Sequence, residues 1–142
     1  MISVFGHVAG SPPDLQTEGT RGIVTAMHAH GVRRIISLSG AGLPSPEDRP
    51  LLADRLLGGA LRAIARSVLR DAAGHLLVLR ESRSDWTVVR APRLTDTPPR
   101  GSYAVGVVGT NRVRSISRAD LADAIVDQLT DESQMQRLPL VG

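Results

Sequence analysis

The apolar positions of this chain follow two periods. Short runs without breakers stand at Ile2 to Phe5, Ile35 to Leu38 and Trp86 to Val89, the pattern of buried strands. Between the first two, Leu15, Ile23, Val24 and Met27 fall on one broad helical face. Ser11-Pro12-Pro13-Asp14 reads as the start of that helix, and Gly31 as its stop after about His30. Ser45-Pro46-Glu47-Asp48 is a second start signal. Apolar residues then recur from Leu51 to Leu69, and Gly58-Gly59 is expected to break or bend the segment. A further helix is predicted over about Asp71 to Arg83. Beyond Pro98-Pro99 and Gly101, strands are predicted at Tyr103 to Val108 and Val113 to Ile116. Ser117-Arg118-Ala119-Asp120 has the form of a capping box for a helix over Ala119 to Leu129, and Leu138 to Val141 is a candidate last strand.

Strand, helix, strand, helix, strand makes two βαβ units, which require parallel pairing and a right-handed crossover. The expected architecture is α/β, a mostly parallel sheet flanked by helices, in a single domain over residues 1–142. Ligands of open α/β sheets bind outside the carboxyl ends of the strands. That rule directs attention to Gly6-His7, to Ser39-Gly40-Ala41-Gly42, and to Arg90-Ala91-Pro92-Arg93-Leu94, read as a proline-containing loop after the third strand.

Composition narrows the chemistry. Cysteine is absent, which excludes disulfides, thiolate nucleophiles and Cys-type zinc sites. Lysine is absent too, so all 17 basic residues are arginines, and with 14 acids the net charge is only +3. The arginines are interleaved with acids, and there is one each of Phe, Trp and Tyr. No stacking platform for bases exists, so nucleic acid is not an expected partner. No apolar run approaches the ~18 residues of a membrane span, and no signal-peptide pattern opens the chain, so a cytoplasmic location is expected. His28 and His30 lie two apart on a helix and point to different faces, so they are read as solvated, and no metal site is predicted.

Four segments carry a resemblance: Glu18–Gly42 (EGTRGIVTAMHAHGVRRIISLSGAG), Val68–Tyr103, Ser115–Glu132 (SISRADLADAIVDQLTDE) and the closing RLPLVG. Together they resemble the atypical short-chain dehydrogenases/reductases, in particular the NAD(P)H-binding, NmrA-like group that includes flavin and biliverdin reductases. The resemblance implies a Rossmann-like fold and an NAD(P)H cofactor. It implies cofactor contacts at Gly6 and His7, at Leu38 and Ser39, and at Ala91, Pro92, Arg93 and Leu94, where the usual Arg-Pro-Pro reads Arg-Ala-Pro. It further implies hydride transfer to a small-molecule acceptor of flavin or quinone type.

Two departures qualify this. The family opens on a strand, a GxxGxxG turn and a helix that grips the pyrophosphate. No such motif occurs here. The chain is expected to be a partial Rossmann-like domain, about the C-terminal two-thirds, with the N-terminal βαβ portion missing and little activity by itself. The Ile2–Phe5 strand would then be an open edge available for self-association. The family's Tyr-x-x-x-Lys dyad is also impossible without lysine, and Tyr103 is the only tyrosine. Ser39 is the candidate catalytic hydroxyl, with a tight-turn role as its alternative. A non-catalytic NAD(P)-sensing or protein-interaction module and a vestigial fragment are the competing readings. Arg90 is expected to pair with an acid such as Asp96, His75 to be a partly buried packing residue, and Ser117 and Asp120 to be caps.

Overall fold

The computed structural model describes residues 1–50, 66–110 and 114–142. The expected helix through Leu51–Leu69, with its Gly58-Gly59 bend, lies largely outside the described residues. The elements in order are β1 (Ile2–Ser3), α1 (Leu15–Ala29), β2 (Arg34–Gly40), α2 (Arg66–Glu81), β3 (Asp85–Ala91), β4 (Arg93–Thr95), β5 (Val105–Gly106), β6 (Ser115–Ser117), α3 (Arg118–Asp127) and β7 (Leu140–Val141). A 3-10 turn at Glu132–Gln134 precedes β7.

The main sheet has the order β1-β2-β3-β7-β5. β1, β2, β3 and β7 run parallel, and β5 returns antiparallel to β7. The register sets Ser3 beside Ser37, Ser39 beside Arg90, and Gly40 beside Ala91. Alternation along the strands then divides the core in two. Ile35, Trp86 and Val88 pack with Val24 and Met27 of α1 and with Leu76 and Leu79 of α2. Ile36, Val89 and Ala91 pack with Leu121, Ala124 and Ile125 of α3. Helices thus cover both faces, and the strands between them are continuous apolar runs because neither face meets water.

Two contacts fix how closely α1 approaches its neighbours. A Cβ on Gly19 would stand 2.6 Å from the Phe5 ring, and one on Gly74 would strike the Thr17 hydroxyl. Gly31, at φ +67, ends α1 in the left-handed region as its sequence position predicts.

Several expectations need correction. β1 covers Ile2–Ser3 only, since Val4 and Phe5 already lead into the loop. Ser11 does not cap α1: its hydroxyl accepts from Val8 N–H within a turn, and Asp14 holds the N-cap position without a side-chain bond. Ser45–Asp48 forms a turn, with Asp48 accepting from Ser45 N–H. The stretch Arg90–Leu94 is not a loop. β3 runs through Arg90 and Ala91, and Arg93–Thr95 is β4, paired in parallel with β6. Pro92 lacks the N–H a ladder needs and keeps Ala91 extended, so the chain leaves one sheet there and enters a second. Arg90 pairs with Asp48, while Asp96 takes Arg118. His75 is only 1% exposed, a buried core residue and not a partly buried one.

Candidate functional site at the strand ends

The carboxyl ends of β1, β2 and β3 open on the same side of the sheet. At the first, His7 lies in the loop between β1 and α1. Its Nε2 is 2.7 Å from Asp71 Oδ2, with the His7 side chain 15% exposed and that of Asp71 fully buried. Asp71 belongs to α2, yet it caps α1. It accepts from Gln16 N–H at 2.7 Å, from Thr17 N–H at 2.9 Å and from the Thr17 hydroxyl at 2.6 Å. The first turn of a helix leaves N–H groups without intrahelical partners and favours negative charge. Burial by itself raises the Asp71 pKa, but the bonds from Thr17, Gln16 and His7 outweigh it and hold the carboxyl below its usual range.

One turn further along α2, His75 Nε2 meets the Ser37 hydroxyl at 2.8 Å, while its Nδ1 has no partner among the described residues. Burial pushes the His75 pKa down to about 4, although the Asp71 charge opposes it. Four helical residues and two strand residues both span about 6 Å. With His75 level with Ser37, Asp71 therefore stands level with Ser39. Ser39 is buried on this same face beside its register partner Arg90.

Arg90 is fully buried and completely engaged. It gives both terminal nitrogens to Asp48 at 2.7 and 2.8 Å, Nε to Leu138 O at 2.8 Å, and a further bond to Leu43 O at 2.9 Å. Asp48 also accepts from Ser45 and Val108 N–H. Burial would raise the Asp48 carboxyl, but the Arg90 and backbone bonds hold it below the usual carboxylate range. The pair fastens the loop after β2 to the end of β3 and to the Val107–Gly109 turn. That turn is tight: a Cβ on Gly109 would collide with Arg49 O.

The other predicted site residues divide by face. Gly40 ends β2 and Gly6 lies in the loop after β1, and an added Cβ at either would meet nothing within 4 Å. Leu38, Ala91 and Leu94 pack in the α3-side core. Pro92 is half-buried, and Arg93 is exposed at the start of β4. Asp71 and Asp48 went unremarked as site residues in the sequence. Asp71 sits in a helix interior and Asp48 in a helix-start signal, and only the tertiary contacts turn them inward.

These features bear on a dinucleotide. Open backbone at Gly6 and Gly40 suits the close approach of a flat ring and its sugar. A pyrophosphate finds no grip among the described residues. The N-terminus of α1 is filled by Asp71, and the first turn of α3 carries Asp120. Two depressions lie elsewhere. One of about 510 Å³, lined by Arg33, Arg80, Arg83 and Trp86 among others, is at the amino ends of the strands. Another of about 370 Å³ lies between Tyr103 and Asp120. Neither is lined by Gly6, His7, Ser39 or Gly40.

A twisted parallel sheet with helices on both faces and loops opening at its carboxyl ends defines a Rossmann-like nucleotide-binding protein. The model of the NAD(P)H-binding family matches residues 2–132, and the chain belongs to that family. Solved structures agree on the fold. A short-chain dehydrogenase/reductase from Veillonella parvula DSM 2008 in complex with NADP is 25% identical with a TM-score of 0.71, covering 99% of this chain and 62% of that one. ChuY, an anaerobillin reductase from Escherichia coli O157:H7, is 17% identical with a TM-score of 0.74, covering 99% and 61%. A protein described as a candidate NADH-flavin reductase from Streptococcus pneumoniae TIGR4 is 19% identical with a TM-score of 0.68, covering 99% and 70%. This chain thus spans less than two-thirds of the length of the first two. Among the described residues no helix is long and apolar enough to cross a membrane.

Proposed function

We propose that this chain forms the nicotinamide and acceptor side of an NAD(P)H-dependent reductase. The acceptor would be a flavin, a quinone or a related conjugated molecule such as a tetrapyrrole. The observation that carries this is the set of strand ends opening together at Gly6-His7 and Ser39-Gly40, in a chain matched to the NAD(P)H-binding family over residues 2–132. The names of the reductase neighbours support the acceptor class. A bound reduced nicotinamide supplies the hydride, and the chain's task is to orient it and the acceptor. Gly6, His7 and Ser39 would face the ring and sugar, and Arg93 is the exposed cation nearest the end of β3. Leu38, Ala91, Pro92 and Leu94 would shape the wall from behind.

The same reading expects weak cofactor affinity from this chain alone, since nothing described here grips a pyrophosphate. Calorimetric titration with NADPH tests it: no tight binding is expected, and submicromolar affinity overturns it. NADPH oxidation with FMN and with a soluble quinone tests the reductase assignment. Binding without turnover of either would move the assignment to a sensing or interaction module. The free side of β1 supports a further proposal, self-association through that edge, because Ile2 and Val4 are exposed and β1 pairs only β2 among the described residues. Sedimentation would show it as a concentration-dependent increase in mass.

A further inference from the structure

A reductase that moves a hydride to a conjugated acceptor must also place a proton, and this chain lacks the lysine that the usual tyrosine–lysine pair requires. We infer that His7, oriented by Asp71, is the proton donor of the reaction, a role that rests on the reductase reading above. The geometry is that of an acid–base dyad. Asp71 is buried, and its other bonds, from Gln16 and Thr17, use donors of α1 that cannot leave it. Its Oδ2 fixes His7 Nε2 at 2.7 Å, so the neutral imidazole keeps its hydrogen on Nε2 and presents Nδ1 as the exchanging atom. His7 Nδ1 has no hydrogen-bond partner among the described residues, and the ring lies beside Gly6, at the open end of β1.

The rise along α2 and β2 sets Asp71 at the level of Ser39. Asp71 from α2 and the first turn of α1 face the ring, and His75 is the next titratable group coupled to Asp71.

The step balances as follows. The reduced nicotinamide gives two electrons and a hydrogen as hydride to the acceptor and leaves oxidised. The acceptor's adjoining atom, now carrying the electron pair, takes the proton from His7 Nδ1–H. The imidazolium becomes neutral with Nε2–H still on Asp71, and water returns the proton to Nδ1 before the next turnover. Asp71 is a positioning residue: it touches neither acceptor nor cofactor.

Imidazole NMR of the full chain tests the dyad without cofactor. His7 is expected in the Nε2–H form when neutral, as its bond to Asp71 requires. Asp71→Asn should weaken that preference for the Nε2–H tautomer. A neutral His7 protonated on Nδ1 overturns the inference; this reading needs only the wild-type chain, so a misfolded Asp71→Asn protein does not block it. The second arm is the pH profile of NADPH-dependent FMN or quinone reduction. His7→Gln should lower kcat at least tenfold and remove the fall in rate at alkaline pH, with KM for the acceptor little changed. An unaltered profile overturns the role of His7 while leaving the reductase reading intact. A wild-type chain that binds NADPH at millimolar concentration yet turns over neither acceptor sinks the reductase reading and the proton-donor role with it, whereas the NMR result still stands or falls separately.

Discussion

Asp48 and Asp71 follow the same strand, and each accepts four hydrogen bonds at the carboxyl ends of the sheet. Asp48 takes two from Arg90 and one each from Ser45 and Val108 N–H. Asp71 takes two from α1 N–H groups, one from the Thr17 hydroxyl and one from His7. The partners make the difference. Arg90 is always charged, buried, and committed to four acceptors, so Asp48 can do nothing but hold the loop after β2 in place. His7 gives Asp71 one nitrogen and keeps the other without a partner among the described residues, so Asp71 both caps a helix and orients an imidazole. One carboxylate fastens the loop after β2, and the other, on the role proposed for His7, orients a proton donor.

The largest effect expected from this contrast is at Arg90. Arg90→Met keeps much of the volume but strands the Asp48 carboxylate among groups chosen to neutralise it. Loss of one partner of such a buried pair costs roughly 3–5 kcal/mol. Urea denaturation should show the midpoint falling in proportion, and a loss below about 1 kcal/mol would mean the clamp does not hold the loop.

Acid should separate the two carboxylates from the buried histidine one turn below Asp71. The folded-state pKa of His75 is about 4 against an ordinary 6.5, so the unfolded chain binds its proton first. Stability from a neutral His75 is therefore complete above pH 6.5 and is lost as pH falls toward 4, by about 3 kcal/mol in all. Asp48 and Asp71 both sit below the usual carboxylate range, so their contributions persist through that window and fade only at lower pH. His75→Leu should flatten the stability profile between pH 6.5 and 4. An unchanged slope would assign the acid sensitivity to other groups.

Much of this frame is legible in the chain. Runs such as Ile35–Leu38 and Trp86–Val89 have no breaker, and their continuous apolar character encodes burial on both faces. Gly31 and Ser117 mark helix ends through backbone conformation and a local bond, which depend on neighbours in sequence. Ser11-Pro12-Pro13-Asp14 reads as a helix start with Ser11 as its cap, but the side-chain cap comes from Asp71, 55 residues beyond Gln16. The partner of Arg90 was misread for the same reason: Asp96 is near in sequence, whereas Asp48 is brought in by the crossover. Local signals decide elements, and the site is made of contacts that cross between elements.

Asp71→Asn comes next in size. The amide keeps an acceptor oxygen but sets an NH2 against at least one of the Gln16, Thr17 and His7 donors. One buried group left unsatisfied costs about 1–3 kcal/mol. Thermal unfolding should place this variant between wild type and Arg90→Met. A loss as large as that of Arg90→Met would make the α1 cap as structural as the clamp.

The smallest effect should come from His7→Gln, and it is the most informative. The glutamine amide can still donate toward Asp71, and Asp71 retains both α1 N–H groups and the Thr17 hydroxyl whether or not it does. The His7 ring is partly exposed, so solvent screens its charge, and such pairs are worth about 0–1 kcal/mol. Urea denaturation at neutral pH should therefore find this variant within about 1 kcal/mol of wild type. A cost near that of Arg90→Met would mean that His7 is a second clamp, and the distinction between a carboxylate that fixes the rim and one that serves a proton would disappear. A small cost joined to a changed pH profile would place His7 where conformational stability does not need it and chemistry does.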